Sequence, residues 1–259
     1  MDTSLERTVR RPLRISVRAL MFLVLAMAVF LLKAVRDARL QHDAIAAIEA
    51  AGGQAVYDYQ FAPLNPGQGK VYSWNQYVNR TLGPDFLGNI GYVELSVGSD
   101  NSNIGAAVSA LSNLRQLSTL NLDGSGISYE VLKALPELRS VRAPMLQNCS
   151  VTDAGISHLG SLPNLECLWI SRARISDDGL ARLPQAAHLT RLVLHGTKVT
   201  DAGLESVGKM PALRTLELGG AFSDKGVANL RGLHDLTDLS LAYTEVMGPV
   251  LDPAALLIA

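Results

Sequence analysis

The sequence predicts an α/β solenoid, with parallel strands lining the concave side of a curved stack and helices on its convex side. Two observations carry this. From about residue 90 the chain repeats Leu-x-x-Leu-x-Leu, with starts at Leu117, Leu138, Leu165, Leu189, Leu213 and Leu236 separated by 21, 27, 24, 24 and 23 residues. A second phrase recurs behind the starts: "VTDAGI" at 151, "ISDDGL" at 175, "VTDAGL" at 199 and "FSDKGV" at 222. A short apolar alternation followed by a helix, repeated at roughly 20 to 29 residues, is a leucine-rich repeat.

Before the repeats, "RRPLRISVRALMFLVLAMAVFLLKAVR" contains an apolar run of 14 residues from Ala19 to Leu32. Arg18 and Lys33 can lay their stems along the apolar surface, which extends the segment to residues 15–35, about 30 Å of helix and enough to span a bilayer. A cleaved signal peptide is the competing reading, and a soluble core helix the third. Ala26 and Ala28, the best small-residue pair, sit inside the apolar run, and Lys33 stands where a cleavage region belongs, which favours an uncleaved anchor. Five arginines precede the run (Arg7, Arg10, Arg11, Arg14 and Arg18) against Lys33, Arg36 and Arg39 after it. The positive-inside rule then predicts a cytoplasmic tail, 1–14, and a repeat domain outside the cytoplasm.

Residues 36–89 read as a juxtamembrane helix and a small α-β-α cap. Val35, Leu40, Ile45 and Ile48 have helical spacings closed by Gly52 and Gly53, and "QAVYDYQF" alternates as a strand does. "APLNPGQG" is a loop, and "SWNQYVNRTLG" a short helix. The repeat domain fills 90–259. Ile90, Val93 and Leu95 form a worn first copy, and the copy begun at Leu236 loses its pattern at "MGPVLDPAALLIA". That terminal segment either covers the end of the stack or frays.

The recurring aspartates raise the question of a metal site. Each follows Ser or Thr (Thr152, Ser176, Thr200, Ser223), with Ser128 at the same place earlier, as N-cap residues do. Asp153, Asp177, Asp201 and Asp224 then fall in the first helical turn, where negative charge is favoured. Gly155, Gly179, Gly203 and Gly226 suit a close approach to a neighbour. One carboxylate per turn falls short of a calcium ligand set. The sequence thus predicts a structural motif, with no metal and no cofactor.

With 23 Lys and Arg against 24 Asp and Glu there is no basic field for nucleic acid. The two cysteines, Cys149 and Cys167, make no framework and are expected to stay unbridged. His42, His158, His188, His195 and His234 occupy unrelated repeat positions with no nucleophile motif around them, so no catalysis is expected. "NRT" at 79 and "NCS" at 148 match a glycosylation pattern that arises readily by chance.

Strand residues alternating with the leucines face the concave side. They are Thr119, Asn121 and Asp123; Cys167, Trp169 and Ser171; Arg191, Val193 and His195; Thr215, Glu217 and Gly219; Asp238, Ser240 and Ala242. Trp169, Arg191, Val193, His195 and Glu217, flanked by Asp238 and Ser240, combine an aromatic, an aliphatic and opposite charges as interface centres do, which makes them the candidate protein-binding residues. The alternative is a solvated sheet carrying a chance Trp.

Three features together, the basic single anchor, "AIAAIEAAGGQAVYDYQ" with "TLGPDFLGNIGYVELS", and repeats of the "LxxLxLxxTxVTDAGL" kind, resemble the N-terminally membrane-anchored leucine-rich-repeat proteins of planctomycete-type bacteria. The likeness covers nearly the whole chain and implies a membrane-held solenoid with no catalytic residues to carry over. The expected function is a non-enzymatic tethered scaffold binding a protein ligand through its concave face. The rivals are an adaptor resembling F-box-associated repeat proteins that recruit substrates to a ubiquitin ligase, a secreted repeat protein released by signal cleavage, and an enzyme acting through His195.

Overall fold

A computed structural model describes residues 16–57, 89–96, 103–124, 126–183 and 186–241. Helix α1, Val17–Ala50, runs 34 residues without a break, because the segment contains neither Gly nor Pro. The predicted anchor and the predicted juxtamembrane helix are therefore one helix. The end is a Schellman cap: Gly53 N–H donates to Ile48 O and Gly52 N–H to Glu49 O, both at 2.9 Å, with Gly52 at φ +78°. Its two halves differ in environment. The large apolar side chains from Val17 to Leu32 are half or more exposed, whereas Ala44, Ile48 and the following Ala51 are fully buried.

That buried end packs against the repeats. Strand β1, Gln54–Tyr57, pairs antiparallel with β2, Ile90–Ser96, and α1 lies on helix α2, Ile104–Leu111. The Asn103 side chain donates to Ala50 O, and Arg115 pairs with Asp37 at 3.4 Å. The rest of the expected α-β-α segment, including Tyr59, Phe61, Asn79 and the "SWNQYVNRTLG" helix, lies outside the described residues.

From β2 the order is strand then helix throughout: β3 Thr119–Asp123, α3 Tyr129–Ala134, β4 Ala143–Gln147, α4 Asp153–Leu159, β5 Cys167–Ser171, α5 Asp177–Leu180, β6 Arg191–His195, α6 Asp201–Val207, β7 Thr215–Gly219, α7 Asp224–Ala228 and β8 Asp238–Ser240. The sheet has the order β1 to β8 with every pair after the first parallel. Its core is a stack of identical rungs. In the repeat beginning at Leu189, the buried Leu192 and Leu194 point inward from the strand, Val199 from the turn, and Leu204 and Val207 from the helix. The copy before it supplies Leu168, Ile170, Ile175, Leu180 and Leu183 at the same places.

The uneven leucine spacing disappears in the register. Thr119 pairs with Ala143 and Leu122 with Leu146, so Val141, not Leu138, begins the second full repeat. Arg142 and Ala143 both donate to Ser118 O, as Glu166 and Cys167 both donate to Arg142 O. The starts 117, 141, 165, 189, 213 and 236 then stand 24, 24, 24, 24 and 23 apart. Leu138 is instead the apolar residue closing a helix, equivalent to Leu114 and Leu162, and buried like them. The long interval of 27 lies earlier, between Tyr92 and its partner Thr119.

The Asp motif is structural as expected, but its wiring differs. Thr152, Ser176, Thr200 and Ser223 are N-cap residues, yet only Thr200 accepts a bond from its own helix, from Ala202 N at 3.3 Å. The hydroxyls of Ser176, Thr200 and Ser223 are held instead by the preceding repeat. Asp153 accepts Ser176 N–H at 2.8 Å and its hydroxyl at 2.6 Å; Asp177 takes Thr200 at 2.8 and 2.7 Å; Asp201 takes Ser223 in the same way. The glycines leave room for these carboxylates, since a Cβ on Gly179 would come 2.5 Å from Asp153 Oδ1, and Gly203 and Gly226 face Asp177 and Asp201 likewise. In the motif, then, the hydroxyl residue reaches back, the Asp reaches forward, and the Gly makes space.

Candidate functional site

The parallel register sets the concave residues in rows. Cys167, Arg191 and Thr215 form one row, Trp169, Val193 and Glu217 the next, and Ser171, His195 and Gly219 the third. Neighbouring strands lie about 4.8 Å apart, so five of the seven predicted residues converge on β5, β6 and β7. Trp169 meets His195 edge-on, ring centroids 6.4 Å apart. The Arg191 guanidinium reaches Glu217 across the next strand at 4.0 Å. Arg191 is exposed and Glu217 only half-buried, so the pair's energetic value is small and its effect is to orient two charges.

Val193 requires correction as a contact residue. It has no accessible surface, because it lies in one row between Trp169 and Glu217 and is flanked along its own strand by Arg191 and His195. It forms the floor of the cluster. Asp238 and Ser240 are exposed on β8, where Ser240 continues the Val193 row beyond Glu217. Ala242, together with the rest of the terminal segment, lies outside the described residues.

The shifted register adds residues that a start at Leu138 conceals. β4 presents Ala143, Met145 and Gln147, with Met145 directly beside Trp169. Counting 24 residues back from Leu165 points to Val141 and would have found them. At the other end the face is polar and internally bonded. Tyr92 donates to Glu94 and receives Asn121 Nδ2 at 3.3 Å, and Gln147 Nε2 donates to Asn121 Oδ1 at 3.4 Å. Burial raises the Tyr92 pKa, while the bond from Asn121 opposes the shift. These groups satisfy one another, which suits a framework better than a binding centre.

Neither cysteine is prepared as a nucleophile. Burial pushes the Cys167 thiol up despite the nearby Arg191 charge, and Cys149 is pushed up to about 12, its Sγ–H donating to Leu122 O and Gln147 O. Both cysteines are free thiols. His158 meets Tyr129 edge-on on the convex side, remote from His195. Among the described residues no group of three His, Cys, Asp or Glu side chains could hold a metal ion. The Asn148 amide of "NCS" donates to Asp123 at 2.8 Å.

Parallel strands in unbroken register, a 24-residue rung and helices on the opposite face define a leucine-rich-repeat solenoid. No protein-family model and no curated protein matches the chain. Among solved structures it is similar to an internalin (inlF) from Listeria monocytogenes, at 19% identity and a TM-score of 0.42. The match covers 64% of this chain, which spans 56% of that protein's length. The fold assignment rests on the strand register and not on that likeness.

Proposed function

We propose that the chain is a non-enzymatic, membrane-tethered scaffold that binds another protein through its concave face. The observation that carries the binding reading is the cluster on β5 to β7. A partly buried Trp169 is braced by His195 over the buried Val193, beside oriented charges from Arg191 and Glu217. A rigid aromatic with a packed floor loses little freedom on binding, which is the economy of an interface centre. A photo-crosslinking residue at position 169 should give a discrete protein adduct in the source cells that the same residue at Lys209, on the convex side, does not. No adduct specific to 169, or equal adducts from both, sinks the site.

The tether reading rests on α1, the helix among the described residues long and apolar enough to cross a membrane. Its exposed apolar half continues directly into the half packed on the solenoid, so the repeats would ride on a rigid stem about 26 Å long from Lys33 to Ala50. On this reading 1–14 is a cytoplasmic tail, 15–35 the anchor, 36–89 the stem and cap, and 90–259 the binding domain outside the cytoplasm. Tags at both ends, protease treatment of intact and opened cells, and mass analysis of the N-terminus test it. A protected N-terminal tag with accessible repeats supports it; a cytoplasmic repeat domain favours the adaptor, and a missing N-terminus a secreted protein.

A further inference from the structure

We propose that the exit ends of β5 and β6, through Arg172, Arg174 and Lys198, bind a carboxylate-rich segment of the protein partner. The proposal rests on the concave-face reading and names the chemistry of what that face takes.

Charge along this edge is not scattered. At the last concave row and the turn beyond it, β4 supplies Gln147, Asn148 and Ser150 and β7 supplies Gly219, Gly220 and Ala221. Between them β5 supplies Arg172 and Arg174, and β6 supplies His195 and Lys198. In a chain of net charge −1 the turns of two adjacent repeats, 172–175 and 196–199, thus carry three cations and no carboxylate of their own. Of the nearest acids, Asp153, Asp177 and Asp201 hold the caps of the following repeats and Asp123 accepts from Asn148, while the exposed Asp178 opens α5 beyond the turn. Arg172, Arg174 and Lys198 are exposed, and among the described residues none of them makes an ion pair.

The backbone singles out Arg172. The first residue past each strand is left-handed in four successive repeats: Gly124 at φ 102°, Asn148 at 50°, Arg172 at 52° and Gly196 at 59°. Gly and Asn suit that conformation and a long side chain does not. An Arg there is a local conflict, and such conflicts cluster where function uses the side chain. Its N–H is fixed on His195 O at 2.8 Å, and its stem runs past Gly196, where a Cβ would sit 3.4 Å from Arg172 Cγ. Arg174 N–H and Lys198 N–H donate to Val151 O and Ile175 O, which places these two cations in the same position on adjacent rungs.

The occupant follows from the surroundings. Three cations in one short edge match a few carboxylates, not the long phosphate track that nucleic acid presents. Two residues back from Ser171 stands Trp169, braced by His195, so an acidic segment crossing the edge can place an apolar side chain on the indole. β5 is four strands from β1, about 19 Å along the stack from the α1 end, which favours a protein segment over the bilayer that α1 enters.

The test uses the detergent-solubilised full chain and a fluorescent glutamate-rich peptide carrying one phenylalanine. Binding is followed by anisotropy at low and high salt, with glutamine-rich and polyphosphate probes alongside. The comparison protein carries Arg172→Gly, Arg174→Ser and Lys198→Ser, residue types that neighbouring repeats already hold at these places, and circular dichroism verifies its fold. The expected result is glutamate-peptide binding weakened about tenfold by salt and by the triple change, with the glutamine peptide bound no better than by the variant. Equal binding by wild type and variant, or binding of polyphosphate without the peptide, overturns the proposal. The crosslink from position 169 separates the two readings. If it persists in the triple variant while peptide binding is unaffected, the acidic-segment inference falls and the concave site stands. If it is absent while peptide binding depends on the three cations, the edge stands and the Trp169 site falls.

Discussion

The Asp177 carboxylate accepts both the main-chain N–H of Thr200 at 2.8 Å and its hydroxyl at 2.7 Å, so one repeat caps the next across 23 residues of sequence. Bonds to a charged acceptor are the stronger kind, and losing them leaves the Thr200 N–H without its partner. Asp177→Ala should cost about 2 kcal/mol in urea denaturation of the solubilised chain, with Asp177→Asn between it and wild type. Asp224 is the contrast, since among the described residues its buried Oδ1 has no hydrogen-bond partner. Asp224→Ala should cost clearly less than Asp177→Ala; equal losses would show that the carboxylates act on their own helices.

Gly203 faces that carboxylate so closely that any Cβ must displace it. In an isolated helix Gly→Ala stabilises by about 1 kcal/mol. Gly203→Ala should instead destabilise by about 1 to 3 kcal/mol, the range for overpacking. The penalty should shrink in an Asp177→Ala background. Strict additivity in that double-mutant cycle would place the clash elsewhere.

Arg172 holds φ at 52° where two of the three other repeats with this conformation have glycine. Relief of the left-handed strain, about 1 to 2 kcal/mol, exceeds the extra unfolded-state freedom of glycine, about 0.5 to 1 kcal/mol. Arg172→Gly should therefore stabilise the chain by about 0.5 kcal/mol and raise its melting temperature, while Arg174→Ser leaves it unchanged. A lower melting temperature for Arg172→Gly would mean that the side chain packs more than it strains.

Cys149 remains protonated in the folded chain up to about 12, against an ordinary value of 9.0, because burial disfavours the thiolate. The unfolded chain loses that proton first, so this thiol's contribution is intact below about pH 9 and is lost as pH climbs towards about 12. Cys149→Ala should show a shallower alkaline decline in stability than wild type. At pH 8 iodoacetamide should leave Cys149 unmodified until denaturant is added, and rapid labelling of the native chain would contradict its burial.

Much of the fold was legible because repeats write local rules many times over. Leu192, Leu194, Val199, Leu204 and Val207 are buried where the alternation and helix spacings place them. Gly52 and Gly53 end α1 as glycines after a helix should. The one misplacement, Leu138 for Val141, came from apolar residues three apart that a pattern alone does not rank. Strand pairing ranks them, because only Val141 brings Ala143 beside Thr119. At the site, the sequence put Trp169, Arg191, His195 and Glu217 on one face and assigned Val193 to the same surface. Depth is invisible to alternation, and Val193 lies beneath its neighbours.

The sequence by itself determined the solenoid, its concave side and an apolar helix long enough for a membrane, since each follows from periodicity along the chain. Only the tertiary structure decided that α1 is a single rod from its exposed to its packed end, that each Asp serves the next repeat, and that the Trp169 cluster has a floor. Those are relations between residues brought together by stacking, and no local propensity encodes which neighbour a carboxylate will reach.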